Sequence, residues 1–267
     1  MNLQIARAHL SASDPEFLQR TWQTVMDQIQ THDRDSTRTR YVRGMKSSAC
    51  DGIRRKTLLE TTPEDFFAVL ENEQMSVGHY LRRLHNLALN LGWLPVPVLA
   101  PKLWPKPHCK EKRGLTLEEH QRILAAEKNA EQNLYYQLLW EVGASQSDAA
   151  SLTAENIDWP SRTLSYFRMK TGEHAQMAIS KKLKAILNQL PTTGLLFPKI
   201  GKTEAKDRAA EFRRRCRLPG LEGVSLHSYR YAWTGRAKTA GYPERFAQEA
   251  LGHNSKAVHR PYAKRVA

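Results

Sequence analysis

The sequence predicts a mostly α-helical protein that carries one small antiparallel β-sheet. Apolar residues recur at helical spacing along most of the chain, behind capping residues such as Asp14, Thr62 and Thr116. Only two short stretches, 163–168 and 176–180, alternate as strands do, and Lys170-Thr171-Gly172 between them reads as a turn. A proline-dense stretch then splits the helices into two groups: residues 94–107 hold five of the 13 prolines. Proline at that density blocks helix and central strand and favours an extended tether.

In the first group, Asp14 caps a helix over 14–31, with Pro15 behind it and Phe17, Trp22, Val25, Met26 and Ile29 as its apolar stripe. A strongly basic helix is expected over 36–57, broken near Ser47–Ser48. Thr62-Pro63-Glu64-Asp65 starts a third helix, and residues 76–90 form a fourth through Tyr80, Leu81, Leu84, Leu87 and Leu89. The second group opens with a capping box, Thr116 with Glu119 three residues on. Helices over about 117–128 and 131–142 follow, and another begins between Gly143 and Leu152. After the two strands come helices over 181–190 and 203–217, then one carrying His227–Arg230 and one over 243–251.

The charge is the unusual feature of the composition. Lys and Arg number 41 against 27 Asp and Glu, a net charge of +14 with pI near 9.8. Residues 111–267 hold 26 of the basic and 16 of the acidic residues. Such an excess favours a polyanionic partner, most simply nucleic acid. Arg38, Arg40, Arg43 and Lys46, the pair Arg82–Arg83, and Lys102 with Lys106 are the candidate phosphate-binding residues of the first part. The longest apolar runs fall short of a membrane span, and the first residues lack the progression of a secretory leader. Cys50, Cys109 and Cys216 are scattered, so neither a metal site nor a disulfide framework is indicated, and a reducing cytoplasmic location is expected.

Near the end, Leu226-His227-Ser228-Tyr229-Arg230 is followed by Leu251-Gly252-His253 and then by Tyr262. With Ser225 capping a helix, His227 and Arg230 lie three apart and face the same way. Such a pair holds a phosphate, Arg as a fork of donors and His as a donor or proton carrier. His-x-x-Arg alone carries little weight among 10 histidines and many arginines, and His79-Tyr80-Leu81-Arg82 is a coincidental second copy. The ordered set is far more specific: His253 follows Arg230 by 23 residues and Tyr262 follows His253 by nine. In order and spacing it resembles the tyrosine recombinase, or phage integrase, family.

The resemblance implies a helical core-binding domain over residues 1–94, a basic proline-rich linker over 95–113 and a mixed α+β catalytic domain over 114–267, together clamping duplex DNA. It implies Tyr262 as the nucleophile and Arg230 on the non-bridging phosphate oxygens. His227 would assist in proton exchange, and His253 would be a further donor to the phosphate. Lys170 would be the general acid for the leaving 5′ oxygen. Double-stranded DNA is the implied partner, with self-association as a dimer or tetramer on it and no membrane. No metal and no cofactor are implied, because fixed cations do the electrostatic work.

One position departs from the pattern. The family's Gly-x-Arg-x-x-Glu/Asp-x-x-x-Leu aligns with Gly143, Asp148 and Leu152, making Asp148 the supporting acid, but Ser145 stands where the first arginine belongs. A hydroxyl brings no charge, and losing one transition-state donor costs about 10²–10³ in rate. Backbone N–H groups at a helix start or a neighbouring cation would compensate. Three readings follow: a site-specific recombinase, attenuated at Ser145; a recombinase-like DNA-binding protein with weak or no cleavage; and a type IB topoisomerase, which the two-part layout and Leu-Gly-His disfavour.

Overall fold

A computed structural model describes residues 12, 14, 16–32, 35–71, 75–105, 113–217, 221–253 and 259. The chain divides into two compact units, Met1–Cys109 and Lys110–Ala267. Among the described residues no helix is long and apolar enough to cross a membrane.

The first unit is built from α1 (Trp22–His32), α2 (Asp35–Met45), α3 (Asp51–Arg54), α4 (Pro63–Glu71) and α5 (Met75–Asn90). Trp22, Val25, Met26 and Ile29 of α1 recur at helical spacing and are all buried. The Trp22 ring lies 5.1 Å from Phe66, and its Nε1 donates to Thr61 Oγ1 at 2.8 Å. Helix α1 begins later than Asp14 suggests. Asp14 instead pairs with Arg20, and the Arg20 carbonyl accepts from the Leu58 amide, so residues 16–19 form a turn and a bridge follows at Thr21. The break at Ser47 falls where the two serines suggest, and a 3₁₀ turn (Ser48–Cys50) separates α2 from α3. The first part of the proline-rich stretch packs onto this core. Leu94, Leu99 and Trp104 are buried, the Trp104 ring lies tilted against Phe66 and His85, and the Val98 amide donates to His85 Nε2 at 3.1 Å.

The second unit packs α6 (Leu117–Ala126), α7 (Ala130–Val142), α8 (Gln146–Ala150), α9 (Lys181–Leu187), α10 (Pro198–Lys202), α11 (Ala205–Arg215), α12 (Ser228–Thr239) and α13 (Glu244–Leu251) around one core. The sheet has the order β1 (Ile157–Asp158), β2 (Thr163–Phe167), β3 (His174–Ala178), all antiparallel. The expected capping box is present at Thr116, and Asn129 and Ser180 cap α7 and α9 through their side chains. Helix α7 is central: Tyr135, Tyr136, Leu138, Leu139, Trp140 and Val142 are buried on nearly every face. Strand β3 sits two residues earlier than its alternation suggests, because Leu164↔Met177 and Tyr166↔Ala175 set the register. The two-residue edge strand β1 is too short to show a period in sequence.

Candidate active site

Helix α12 fixes the heart of the site. Tyr229 is fully buried, with its ring against Tyr136, Phe212, Trp140 and His120. One residue on, about 100° around the helix, Arg230 faces a different side. The turn before α12 differs from the expected Ser225 cap: Ser228 Oγ accepts from the Ser225 amide at 3.0 Å, and His227 occupies the N-cap position. The spacing of three between His227 and Arg230 is unaffected.

Arg230 is 1% exposed. Its Nη1 donates to the Gly143 carbonyl at 3.0 Å, and its Nη2 donates to the Leu251 carbonyl at 2.6 Å and to His253 Nε2 at 2.7 Å. Both carbonyls come from helix ends finished by a left-handed glycine. Gly143 (φ 64°) ends α7, and a Cβ there would meet Trp233 Cβ at 2.7 Å. Gly252 (φ 57°) ends α13, where its amide donates to Glu249 O and the His253 amide donates to Gln248 O. That Schellman pattern turns the chain so that His253 leaves the helix directly against Arg230.

The hydrogen bonds set the tautomer of His253. Arginine has only donors, so His253 Nε2 accepts and the ring proton sits on Nδ1, which donates to His259 Nδ1 at 3.0 Å. Burial, then Arg230, His259, Arg168 and His227, drive His253 down to about 3. Burial also lowers His259, and it lowers His120 to about 4 where that ring stacks on Trp140 at 4.5 Å.

These histidines bear on stability. A folded pKa below the unfolded value of about 6.5 means the unfolded chain binds more protons, so stability is full above pH 6.5 and is lost as pH falls towards the folded values. By pH 5 the loss is about 2 kcal/mol for each of His253 and His120. Thermal melts at pH 7.5 and pH 5 are therefore expected to show a clear drop at the lower pH. A melting temperature unchanged across that interval would mean these rings are not held neutral.

Ser145 caps α8, its Oγ accepting from the Asp148 amide at 3.2 Å. Asp148 is buried; its Oδ1 accepts from the Met169 amide at 3.0 Å, and its Oδ2 lies 3.5 Å from Arg168 Nε. Arg168 Nη1 donates to the Gly252 carbonyl at 2.9 Å. Lys170 is exposed in the β2–β3 turn, two residues beyond Arg168, where Gly172 has φ 71°.

The structure thus brings together Gly143, Asp148, Arg230 and His253 from three distant segments, Asp148 through Arg168, with His227 near His253. Tyr262 and Lys106 lie outside the described residues. Two residues of the cluster, Arg168 and His259, were not singled out in the sequence. Arg168 had a signal: period two puts it on the face of Leu164 and Tyr166, the buried face of β2. His259 had none beyond lying between His253 and Tyr262.

The remaining candidates belong to the first unit. Arg38, Arg43 and Lys46 line a shallow groove on α2 with Thr39 and Val42. Arg40 lies on the same helix. Arg82 and Arg83 are exposed on α5, their guanidinium groups 5.7 Å from the Trp104 ring and 4.6 Å from the Tyr41 ring. Lys102 is exposed in a 3₁₀ turn (Pro101–Leu103).

Residues 113–266 match the phage integrase family. Similar solved structures include a lambda integrase dimer bound to a COC′ core site, with a TM-score of 0.75 and 17% identity over 95% of this chain and 80% of that one. A lambda integrase tetramer bound to a Holliday junction gives 0.73 and 18%, over 92% and 81%. The Tn1549 transposon integrase in complex with transposon right end DNA gives 0.73 and 14%, over 91% and 94%. At these identities the likeness is one of fold. No curated protein matches significantly by sequence.

Proposed function

The chain belongs to the phage integrase family, and we propose on that premise that it is a site-specific DNA recombinase working through a 3′-phosphotyrosyl intermediate. The observation that carries this reading is the convergence of Arg230, His253, Asp148 and the Gly143 and Leu251 carbonyls at one place. The solved integrases it resembles are bound to DNA as a dimer and as a tetramer, which supports duplex DNA as the partner and self-association on it. In this reading residues 1–94 are the core-binding domain, 95–113 the linker and 114–267 the catalytic domain.

Tyr262 Oη attacks the scissile phosphorus, and its proton passes to His227. The P–O5′ bond breaks as the P–Oη bond forms, and O5′ leaves with a proton from Lys170. Arg230 holds a non-bridging oxygen as negative charge develops on it, and His253 becomes a further donor when its ring turns from Arg230 to the phosphate as the Nε2–H tautomer, its Nδ1 then accepting from His259. One phosphoester replaces another, so the 5′-hydroxyl of a second strand can reverse the step without an external energy source.

A second reading, a DNA-binding protein with weak or no cleavage, is favoured by one observation. Ser145 replaces a charged donor, and the Arg230 side chain is enclosed with both Nη atoms on protein acceptors. The test that separates the two is covalent capture. The full chain is incubated with a pool of nicked duplexes of random sequence, denatured, and assayed for DNA that stays attached to protein. Recovered adducts support the recombinase; retention of DNA on native gels with no adduct supports the binding protein.

Binding itself has a separate expectation. Exposed arginines that neutralise phosphates release counterions, at a salt slope of about −0.9 per contact. Replacing Arg82 and Arg83 together by Gln is expected to flatten the plot of log affinity against log salt by about 2 units. An unchanged slope would remove both residues from the interface.

A further inference from the structure

We propose that Arg168 supplies the guanidinium that position 145 lacks, holding a non-bridging oxygen of the scissile phosphate beside Arg230. The proposal rests on the recombinase reading above and assigns a further catalytic residue within it.

Four observations converge on Arg168. Its Nε reaches Asp148 at 3.5 Å, and Asp148 shares a helical turn with Ser145, so the guanidinium sits against the very segment that lacks its arginine. Its Nη1 takes the Gly252 carbonyl at 2.9 Å, while Arg230 takes the carbonyl of the preceding residue, Leu251, at 2.6 Å. Consecutive carbonyls are thus taken by two arginines, and both arginines act electrostatically on His253. The third observation is steric: a Cβ on Gly252 would come within 2.5 Å of Arg168 Cδ, so the glycine of Leu-Gly-His is the gap through which the arginine stem passes. The fourth is exposure. The Arg168 side chain is 12% exposed, against 2% for Asp148, so the group is fixed yet reaches the surface of the site.

Position and charge give this arrangement its function. Arg168 enters from the end of β2 and not from α8, so a side chain from a different element fills the same space. Asp148 orients it through Nε, and a fork oriented in this way loses little freedom on gripping an anion. Arg168 meets the Asp148 carboxylate through Nε and a neutral carbonyl through Nη1, while Arg230 meets two carbonyls and a neutral histidine, so the two guanidinium groups concentrate positive charge where a phosphate would lie.

The competing explanation is that Arg168 only balances the buried Asp148, and the experiment separates the two. A nicked duplex recovered by covalent capture is made with an ordinary scissile phosphate and with each methylphosphonate diastereomer, in which methyl replaces one charged oxygen. Single-turnover adduct formation is measured for wild type, Arg168→Ala and Arg168→Lys, with thermal melts of each.

On the ordinary phosphate, Arg168→Ala is expected to be slower by about 10²–10³, and Arg168→Lys by less, because it keeps charge without the fork. On the diastereomer that lacks the oxygen Arg168 holds, wild type and variants are expected to converge to within about threefold. Convergence of Arg168→Lys alone suffices if the alanine variant does not fold. Equal deficits on all substrates would assign Arg168 to support of Asp148 and overturn the proposal, as would undiminished rates in both variants. Adduct from wild type with no Arg168 dependence removes this inference alone; no adduct from wild type removes the recombinase reading with it.

Discussion

Tyr262→Phe is expected to bind nicked DNA as the wild type does and to form no covalent adduct, a loss of at least about 10⁴-fold in cleavage. The substitution removes one atom, the phenol oxygen that the proposed mechanism joins to phosphorus. A free phenol has a pKa near 10, so at pH 7 only about one in a thousand is ionised, and attack depends on a nearby proton acceptor and fixed positive charge. The site has the charge in Arg230 and Arg168. Other tyrosines near it are poor substitutes: burial pushes Tyr166 up to about 12 and raises Tyr135, Tyr136 and Tyr229 further still. The measurement is denaturing electrophoresis of the captured complex with peptide mapping of the attached DNA. Adduct at wild-type yield in the variant, or DNA mapped to another residue such as the exposed Tyr242, would sink the assignment.

Much of this arrangement was legible because local rules and tertiary packing agree. The capping box at Thr116 is formed, and the stripe of α1 faces the first core. Leu-Gly-His carried a physical message as well as a family one. A glycine after an apolar helical residue predicts a left-handed helix end, and here that end delivers His253 to Arg230. What escaped the sequence was decided at long range. The start of α1 depends on the Arg20 carbonyl bonding to Leu58, which no window of α1 contains. The proline-rich stretch reads as a tether by composition, yet Leu99 and Trp104 find the core built by α4 and α5. Arg168 reads as a strand-end charge until Asp148 and Gly252 are seen on either side of it. Ser145 is the converse case. Its place in the pattern was plain from sequence, but its use as a helix cap shows only in the fold.

Arg230→Ala is expected to lower cleavage by about 10²–10³ and also to destabilise the second unit by about 1–3 kcal/mol for each acceptor left without a donor, a double effect that follows from its burial. The Gly143 and Leu251 carbonyls and His253 Nε2 all accept from this one side chain, and truncation strands all three in an enclosed space. Arg230→Lys keeps the charge but offers a compact ammonium in place of a planar fork, so it cannot meet three acceptors spread around that fork and is expected to fall between. The destabilisation should also depend on pH with a definite sign. Arg230 is the second cause, after burial, of the low His253 pKa, so removing it lets the folded His253 take up a proton nearer the unfolded value. The variant then loses less stability on acidification than the wild type does, and the gap between them narrows from pH 7.5 to pH 5. Urea denaturation of both proteins at the two pH values measures the gap directly. A gap that stays constant or widens would show that Arg230 does not set the protonation of His253, and a variant as stable as wild type at pH 7.5 would mean that the three acceptors find other donors.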